Sequence, residues 1–160
     1  ANVGEDEIGD DENDKVKTIR EYAAKEDSEV IVISAKIEEE IATLDDEDKE
    51  MFLEDLGIEE PGLDRLIRTT YDLLGLSTYF TAGVQEVRAW TFRQGMTAPQ
   101  CACIIHTDFE RGFIRAEVTS YDDYVEHGGE QGAKEAGKQR LEGKDYIMQD
   151  GDIVHFRFNV

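Results

Sequence analysis

Ile153-Val-His-Phe-Arg-Phe158, close to the end of the chain, has the two-residue alternation that is typical of a β-strand. The preceding Gln149-Asp-Gly-Asp152 has the composition of a tight turn. Residues 87–92 and 112–118 alternate in the same way and predict two more strands, and residues 97–105 predict a short helix between them. The second half of the chain therefore predicts a small α+β domain, for which a β-grasp arrangement fits, as do other mixed sheets.

The first half has the pattern of an α/β domain. A helix is predicted to begin near Asn13 or Asp14, since either residue is a good N-cap and apolar residues recur at helical spacing after them. Glu29-Val-Ile-Val-Ile33 then predicts a strand buried on both faces, as in a parallel sheet. Helix followed by buried strand is the second half of a βαβ unit, so we expect a strand to end just before Asn2 and the chain to begin inside an α/β domain.

Residues 36–44, 46–56 and 63–74 predict three helices that pack rather than form a site. Asp45 is the expected N-cap of the second, Gly57 its expected C-cap, and Gly75 the expected C-cap of the third.

Charge divides the chain into two halves. The net charge is −21, which argues against indiscriminate binding to nucleic acid. Residues 1–76 carry 8 Lys and Arg against 25 Asp and Glu, whereas residues 77–160 carry 9 against 13. We therefore predict two domains, 1–76 and 77–160.

The sequence also indicates a compartment. No stretch approaches the roughly 20 apolar residues of a membrane span, and the acidic start is unlike a signal peptide. Cys101 and Cys103 lie too close together for an ordinary structural disulfide and are too few for a zinc site. We expect two buried or half-buried thiols in a reducing cytoplasm.

Two short motifs follow the predicted strands of the first half. Asn2-Val3-Gly4-Glu5 and Ser34-Ala35-Lys36 stand at neighbouring strand exits, where open α/β sheets bind ligands. The Asn2 amide can bond a purine edge or tie the two loops together, and the backbone amides of Ala35 and Lys36 can meet acceptors of the base. An Asn at such an exit is also commonly just an N-cap.

The acidic residue of the first motif bears on base choice. Guanine-specific proteins usually have Asn-Lys-x-Asp here, and the Asp accepts protons from guanine N1 and N2. Adenine offers neither proton, so a carboxylate aimed there would be unpaired. Glu5 moves the carboxylate by one methylene and Val3 replaces the Lys. We expect loss of guanine selectivity and tolerance of, or preference for, adenine.

Several stretches resemble the YchF/Obg-like ATPase family, over essentially the whole chain. They are Asn2-x-x-Glu5, Ser34-Ala35-Lys36, Gly57-Ile-Glu-Glu-Pro-Gly-Leu-Asp-Arg-Leu66, Tyr79-Phe-Thr-Ala-Gly83, Val87-Arg-Ala-Trp90, His106-Thr-Asp-Phe-Glu-Arg-Gly-Phe-Ile-Arg-Ala-Glu117 and Asp150-Gly-Asp-Ile-Val-His-Phe-Arg-Phe158. The resemblance implies that residues 1–76 are the C-terminal part of a P-loop nucleotide-binding domain of the Obg type. It implies that residues 77–160 are a TGS domain with a β-grasp fold.

The same resemblance implies an activity for the intact protein. It should bind ATP in preference to GTP, hydrolyse it slowly with Mg²⁺, and associate with ribosomes, with the TGS domain implicated in contacts to RNA or to the ribosome. The Gly-rich phosphate loop with its Lys and Ser/Thr does not occur in these residues, so we expect this chain alone to be inactive and to hold no nucleotide tightly.

A more basic stretch in the second half is a candidate partner contact. Its cations are Lys134, Lys138, Arg140 and Lys144. Glycines interrupt the stretch, so we expect an exposed, mobile loop that is either solvated surface or a contact to RNA phosphates or another partner. Earlier in the second half, His106, Asp108 and Glu110 resemble metal ligands, but a turn held by side-chain-to-backbone hydrogen bonds is favoured over a metal site.

Three hypotheses remain open from the sequence. The chain is the non-catalytic end of an ATPase, a fragment whose own activity is docking onto RNA or protein, or a stand-alone TGS-type adaptor without catalytic activity. The coding region upstream of Ala1 separates the third from the first, because an ATPase needs a Gly-x-x-x-x-Gly-Lys-Ser/Thr there.

Overall fold

The computed structural model describes residues 1–9 and 13–159. The chain divides into two compact units, Ala1–Tyr71 and Asp72–Val160, and the division falls inside a helix, Gly62–Leu74. The assignment of residues 1–76 and 77–160 to two named domains stays a prediction. Within the described ranges, no helix combines the length and the apolar composition that crossing a membrane requires.

The first unit is built mainly from helices. A single 3-10 turn, Glu5–Glu7, comes first. The helices that follow are α1 (Asp14–Lys25), α2 (Ala35–Ile41), α3 (Asp46–Leu56) and α4 (Gly62–Leu74).

The helix ends of the first unit confirm the capping predictions. The Asn13 side chain accepts hydrogen bonds from the amides of Lys15 and Val16, so it caps α1. Asp45 accepts a bond from the Asp48 amide at the start of α3, and Gly57 ends α3 with φ at 68°.

Residues 29–33 do not form the predicted buried strand. The segment is extended, but only Ile33 pairs, in one parallel bridge with Asn2, and residues 30–33 are half-buried. A parallel strand is buried only when strands flank it and helices cover it. Within the described residues the segment has residues 1–3 as its one strand-like neighbour, which explains the difference.

The core of the first unit is small. Ile37, Ile41 and Leu53 are its buried cluster, and it lies between α2 and α3. The Glu38 carboxylate accepts bonds from the amides of Gly62 (2.7 Å) and Leu63 (3.2 Å), so α2 caps the beginning of α4.

Up to residue 159, the second unit contains five strands and four short helices. Its elements are β1 (Leu76–Ala82), β2 (Val87–Arg93), α5 (Ala98–Ile105), α6 (Thr107–Arg111), β3 (Phe113–Ser120), α7 (Tyr121–Glu126), α8 (Glu130–Glu135), β4 (Arg140–Glu142) and β5 (Asp152–Phe158). The strands form one sheet in the order β2-β1-β5-β3-β4. β1 and β5 are parallel and the other pairs are antiparallel. The predicted α+β fold with a β-grasp sheet is confirmed.

One face of this sheet packs against α5 and forms a continuous core. Its buried residues include Tyr79, Phe92, Cys101, Val118 and Phe156. The buried Tyr79 hydroxyl donates a hydrogen bond to the Cys101 carbonyl at 2.9 Å. Burial raises the pKa of the Cys101 thiol to about 12, so this thiol is unreactive at neutral pH. Cys103 is half-buried and both cysteines are free, as predicted.

Candidate functional site

The two strand-exit motifs are joined by backbone pairing. The Ile33 amide donates to the Ala1 carbonyl and the Val3 amide to the Ile33 carbonyl, each at 2.9 Å. Because Asn2 and Ile33 pair in parallel, the chain leaves the bridge in the same direction on both sides. Glu5 and Lys36 stand three residues beyond the bridge on their respective segments and therefore meet.

Asn2 ties the two loops together, which was one of the two predicted roles. Its side-chain Oδ1 accepts a hydrogen bond from the Ala35 amide at 2.9 Å. The Ala35 amide is therefore engaged within the protein, whereas the Asn2 Nδ2 group remains a potential donor. Ser34, next to this bond, is 1% exposed, so the start of α2 is fixed beside Asn2.

Glu5 and Lys36 form an ion pair across the two loops, between Glu5 Oε1 and Lys36 Nζ. Both side chains are exposed to solvent. The hydrogen bond to Glu5, together with its charge, raises the pKa of Lys36 above its ordinary value.

A cavity of about 400 Å³ lies between the two motifs. It is lined by Asn2, Val3, Gly4, Glu5, Asp6, Ser34, Ala35 and Lys36. All six residues predicted to contact a base are therefore brought together in one concavity. Its volume is within the range of ligand pockets, roughly 300–1,000 Å³.

One segment of the second unit has the spacing of a phosphate loop but a different structural role. Gly132-Ala-Lys-Glu-Ala-Gly-Lys138 has the glycine and lysine spacing of a phosphate loop, but Gln139 follows where Ser or Thr is needed. Gly132 lies inside α8, where a Cβ would come within 1.9 Å of the His127 carbonyl oxygen. Gly137 ends α8 with φ at 71°, so both glycines have structural roles. No residue set for triphosphate or Mg²⁺ is apparent within residues 1–9 and 13–159.

The four predicted partner-contact cations lie on different elements. All four side chains are exposed, as expected, but the expectation of one loop is wrong, because Lys134 lies in α8 and Arg140 begins β4. Ala133 is fully buried and β4 pairs with β3, so packing outweighs the glycine-rich composition. Lys138 pairs with Asp123 at 3.0 Å, whereas Lys134 and Lys144 have no ion pair within the described part of the chain.

Arg140 belongs to a half-buried polar network. Its guanidinium contacts the Tyr146 hydroxyl at 3.0 Å and the Asp152 carboxylate at 3.5 Å. Tyr146 donates to Asp152 at 2.8 Å. The arginine is therefore occupied by interactions within the second unit.

His106 confirms the prediction of a turn. Its Nδ1 accepts a hydrogen bond from the Asp108 amide at 3.2 Å, so the imidazole caps α6. Glu110, the third of these residues, accepts a hydrogen bond from the Cys103 thiol. This bond raises the pKa of the Cys103 thiol.

The structure gathers two histidine–carboxylate clusters that the sequence did not predict. They are Glu117, Glu130 and His155, and Asp123, Glu126 and His127. In each, one carboxylate already has a cation partner, Arg157 on Glu117 and Lys138 on Asp123. These ion pairs give the least exposed carboxylate of each cluster a cationic partner without a metal.

Comparison with known proteins identifies related sequences. Residues 76–159 match the family model YchF-GTPase_C, described as "Protein of unknown function (DUF933)". "Ribosome-binding ATPase YchF" of Bacillus subtilis (strain 168) is 67% identical over 161 residues, and the protein of the same name from Haemophilus influenzae is 64% identical over 160. Both alignments cover 100% of this chain but 44% of the relative, so the chain spans less than half the length of these relatives.

Solved structures show the same fold. "Structure of the Schizosaccharomyces pombe YchF GTPase" matches with a TM-score of 0.83 at 33% identity, covering 98% of this chain and 42% of that chain. A GTP binding protein from Pyrococcus horikoshii OT3 matches with a TM-score of 0.63 at 22% identity and supports the fold alone.

Proposed function

Because this chain belongs to the YchF family, we propose that its first unit supplies the base-contacting loops of a nucleotide-binding ATPase. Its second unit is then the TGS module, for contact with the ribosome. One observation supports the first part most strongly. A parallel bridge places Asn2, Glu5 and the segment 34–36 around one cavity of ligand size.

The donors left at this cavity suit a purine. Asn2 uses its Oδ1 on Ala35, so its Nδ2 group is the side-chain donor available to a base. The first intrahelical hydrogen bond of α2 runs from the Glu38 amide to the Ser34 carbonyl. The Lys36 amide comes two residues earlier, so it has no acceptor within the helix. It can therefore donate to a ring nitrogen of the base. The Ala35 amide, expected from the sequence to do so, serves the loop-to-loop bond instead.

We expect ATP to be preferred over GTP, with hydrolysis that requires Mg²⁺ in a longer protein carrying this chain. Mg²⁺ would neutralise the triphosphate charge during transfer, as it does in phosphoryl-transfer enzymes generally. The relatives are more than twice as long as this chain. We expect the phosphate-binding residues to lie in the part of the longer protein that this chain does not cover. The chain by itself should hold neither nucleotide tightly.

Base preference provides the test. In a longer protein with a complete nucleotide-binding domain, Glu5→Asp combined with Val3→Lys recreates the guanine-binding pattern and should shift preference toward GTP. Competition binding of ATP and GTP measures the ratio. Val84→Lys, at a fully exposed position of the second unit, is the charge-matched control. An unchanged ATP:GTP ratio would contradict the proposed base contact.

The second unit is proposed as the docking module, in the cytoplasm where ribosomes are. Two observations support it: the relatives are named ribosome-binding, and residues 77–160 carry far less excess negative charge than residues 1–76. Lys134 and Lys144 are exposed, so they are the best candidates for contacts to RNA phosphates.

Co-sedimentation of the chain with ribosomes across a salt series tests this docking role. Binding that weakens with salt, and weakens further in Lys134→Glu with Lys144→Glu, is expected. Lys15→Glu with Lys25→Glu, at two exposed positions of α1, is the charge-matched control and should bind like the parent. Sedimentation that survives deletion of residues 77–160 would assign the contact to the first unit. No binding at any salt would mean that this chain does not dock by itself.

A further inference from the structure

The helix α4 carries an apolar stripe that no part of the described chain covers. Leu63, Leu66, Ile67 and Thr70 follow one another at i, i+3, i+4 and i+7, so they lie on one face of the helix. Leu63, Leu66 and Ile67 are 54%, 41% and 51% exposed, and Gly62 is the one buried residue within 62–74. An amphipathic helix ordinarily turns such a stripe toward a core. This face therefore lacks its packing partner.

The opposite face of α4 is charged and is engaged within the first unit. Glu60 Oε2 lies 2.6 Å from Arg68 Nη2, and Glu60 Oε1 lies 3.8 Å from Arg65 Nε. Asp64 lies on this charged side as well. Because charged and apolar residues are separated around the helix, the stripe is a contiguous apolar face rather than scattered exposed side chains, which would need no explanation.

The backbone of the first residues indicates what lies near this helix in a longer protein. The Ala1 nitrogen donates a hydrogen bond to the Ile31 carbonyl at 2.7 Å, and Asn2 pairs in parallel with Ile33. Residues attached before Ala1 would therefore continue alongside residues 29–31 as a parallel strand. Parallel sheets have both faces covered by helices.

The first turn of α4 already lies against this pairing. A Cβ at Gly62 would come within 2.6 Å of Ile33 Cγ2, so the helix begins in contact with the extended segment. The relatives are more than twice as long as this chain and can supply further strands. A second copy of the chain suits the face less well, because a net charge of −21 makes two copies repel each other.

We propose that the stripe of α4 is the interface for the part of the longer protein that precedes Ala1, and that it packs on the apolar face of parallel strands in that part. The inference rests on the proposed function only in that this chain belongs to a longer protein. It assigns α4, rather than the loops at the cavity, as the main surface that joins the first unit to that part.

Cysteine alkylation, followed by mass spectrometry of peptides, measures whether the stripe is covered. Ile67→Cys places a thiol in the stripe, and Asp64→Cys places one on the charged face of the same helix as the control. In the 160-residue chain both thiols should react at similar rates, since both positions are exposed. In a longer protein with a complete nucleotide-binding domain, Ile67→Cys should react at least about tenfold more slowly, because reaction then requires local opening. Asp64→Cys should keep its rate.

Ile67→Asp gives an independent measurement, because it puts a charge into the proposed apolar interface. It should lower the melting temperature of the longer protein by about 4 °C or more and leave that of the 160-residue chain unchanged. Met51→Asp, at a 59% exposed position of α3, is the matched control and should leave both melting temperatures unchanged.

Equal alkylation rates of Ile67→Cys in the two proteins would show that nothing covers the stripe and would overturn the inference. Slow alkylation in the 160-residue chain that recovers on dilution would assign the stripe to a second copy, which overturns it as well. Neither measurement uses nucleotide or ribosomes, so a failure here is distinct from a failure of the proposed base preference or docking.

Discussion

Each of the two units is stabilised internally in a different way. The second has a five-stranded sheet with a continuous buried core. The first is four helices and extended chain, whose two loops are joined by one parallel bridge and whose buried cluster is Ile37, Ile41 and Leu53. The candidate base site lies in this less buried unit.

The difference shows how polar groups are used in each unit. In the second unit, polar groups near the core bond to one another, as Tyr146 does with Asp152, and stabilise the fold. In the first, Asn2 and Glu5 bond across two loops at the surface, beside open space. A binding site needs polar groups that a ligand can reach. In the first unit these groups stay exposed, because a short backbone pairing fixes the two loops that carry them.

The largest effect should come from the core of the second unit. Phe156 is 6% exposed and its ring lies 5.9 Å from that of Tyr79, edge to face. Phe156→Ala should lower the free energy of unfolding by about 3–5 kcal/mol through lost burial and a cavity. Urea denaturation followed by fluorescence of Trp90, the single tryptophan, measures this unit selectively.

Leu141→Ala is the control for that prediction. Leu141 is 66% exposed, so its truncation should change the free energy of unfolding by no more than about 0.5 kcal/mol. Equal losses in the two variants would show that the buried cluster is not what stabilises the sheet.

Much of this fold was predictable because local signals agreed with tertiary packing. The caps at Asn13, Asp45 and Gly57 and the strands β2, β3 and β5 have signals that residue type and alternation carry directly. β1 was missed, since Tyr79 and Phe80 are adjacent and break the alternation. Both faces of this strand are partly covered, which alternation does not reveal.

The site was predictable in outline but not in its bonding. Sequence periodicity predicted that the loops at Asn2 and Ser34 would be neighbours, and they do line one cavity, although one bridge stands where strands were expected. The pairing of Glu5 with Lys36 and the use of the Ala35 amide depend on the register of the bridge, which periodicity does not fix. Glycine composition was misleading at residues 132–137, because contacts distant in the chain decide that conformation.

A glycine beside the site tests how far the first unit depends on packing. A Cβ at Gly62 would lie 2.6 Å from Ile33 Cγ2 and 2.8 Å from Glu38 Oε1. Gly62→Ala should therefore cost about 1–3 kcal/mol and displace Ile33 from its bridge. Faster hydrogen exchange at the Val3 and Ile33 amides measures the weakened pairing.

Gly143→Ala is the matched control, since a Cβ there would meet no atom within 4 Å. Its unfolding free energy should change by no more than about 0.5 kcal/mol. Unchanged exchange at Val3 in Gly62→Ala would show that the bridge does not depend on α4.

The polar network of the second unit should be next in size. Asp152 is 2% exposed, and its Oδ2 accepts from the Tyr146 hydroxyl (2.8 Å) and the Gln149 amide (3.0 Å). In Asp152→Asn the carbonyl oxygen can still face these two donors, but the NH₂ group then faces the Arg140 guanidinium, which is itself a donor and lies 3.5 Å from Oδ1. The loss should be about 1–3 kcal/mol by Trp90 fluorescence. Asp145→Asn, at an exposed position, should have almost no effect; a comparable loss there would make the network irrelevant.

The smallest effect is expected for an ion pair on the opposite face of the same sheet, where charge and packing can be separated. The Glu117 carboxylate accepts bonds from Arg157 Nε (3.1 Å) and Nη2 (3.0 Å), and these bonds hold its pKa below the ordinary value. A lowered pKa contributes stability above the ordinary pKa of the group, and this contribution is lost as the pH falls through the folded value. Glu117→Gln should therefore cost about 1 kcal/mol at neutral pH.

At a pH well below the ordinary glutamate pKa of about 4.3, the same variant should match the parent, because both side chains are then neutral. Denaturation across this range measures the difference. Glu86→Gln, whose exposed carboxylate lies 3.9 Å from Arg88, should differ little from the parent throughout. If Glu117→Gln still lowers the free energy of unfolding in acid, the side chain stabilises the sheet by packing rather than by charge. The two units would then differ less in their use of polar groups than the structure indicates.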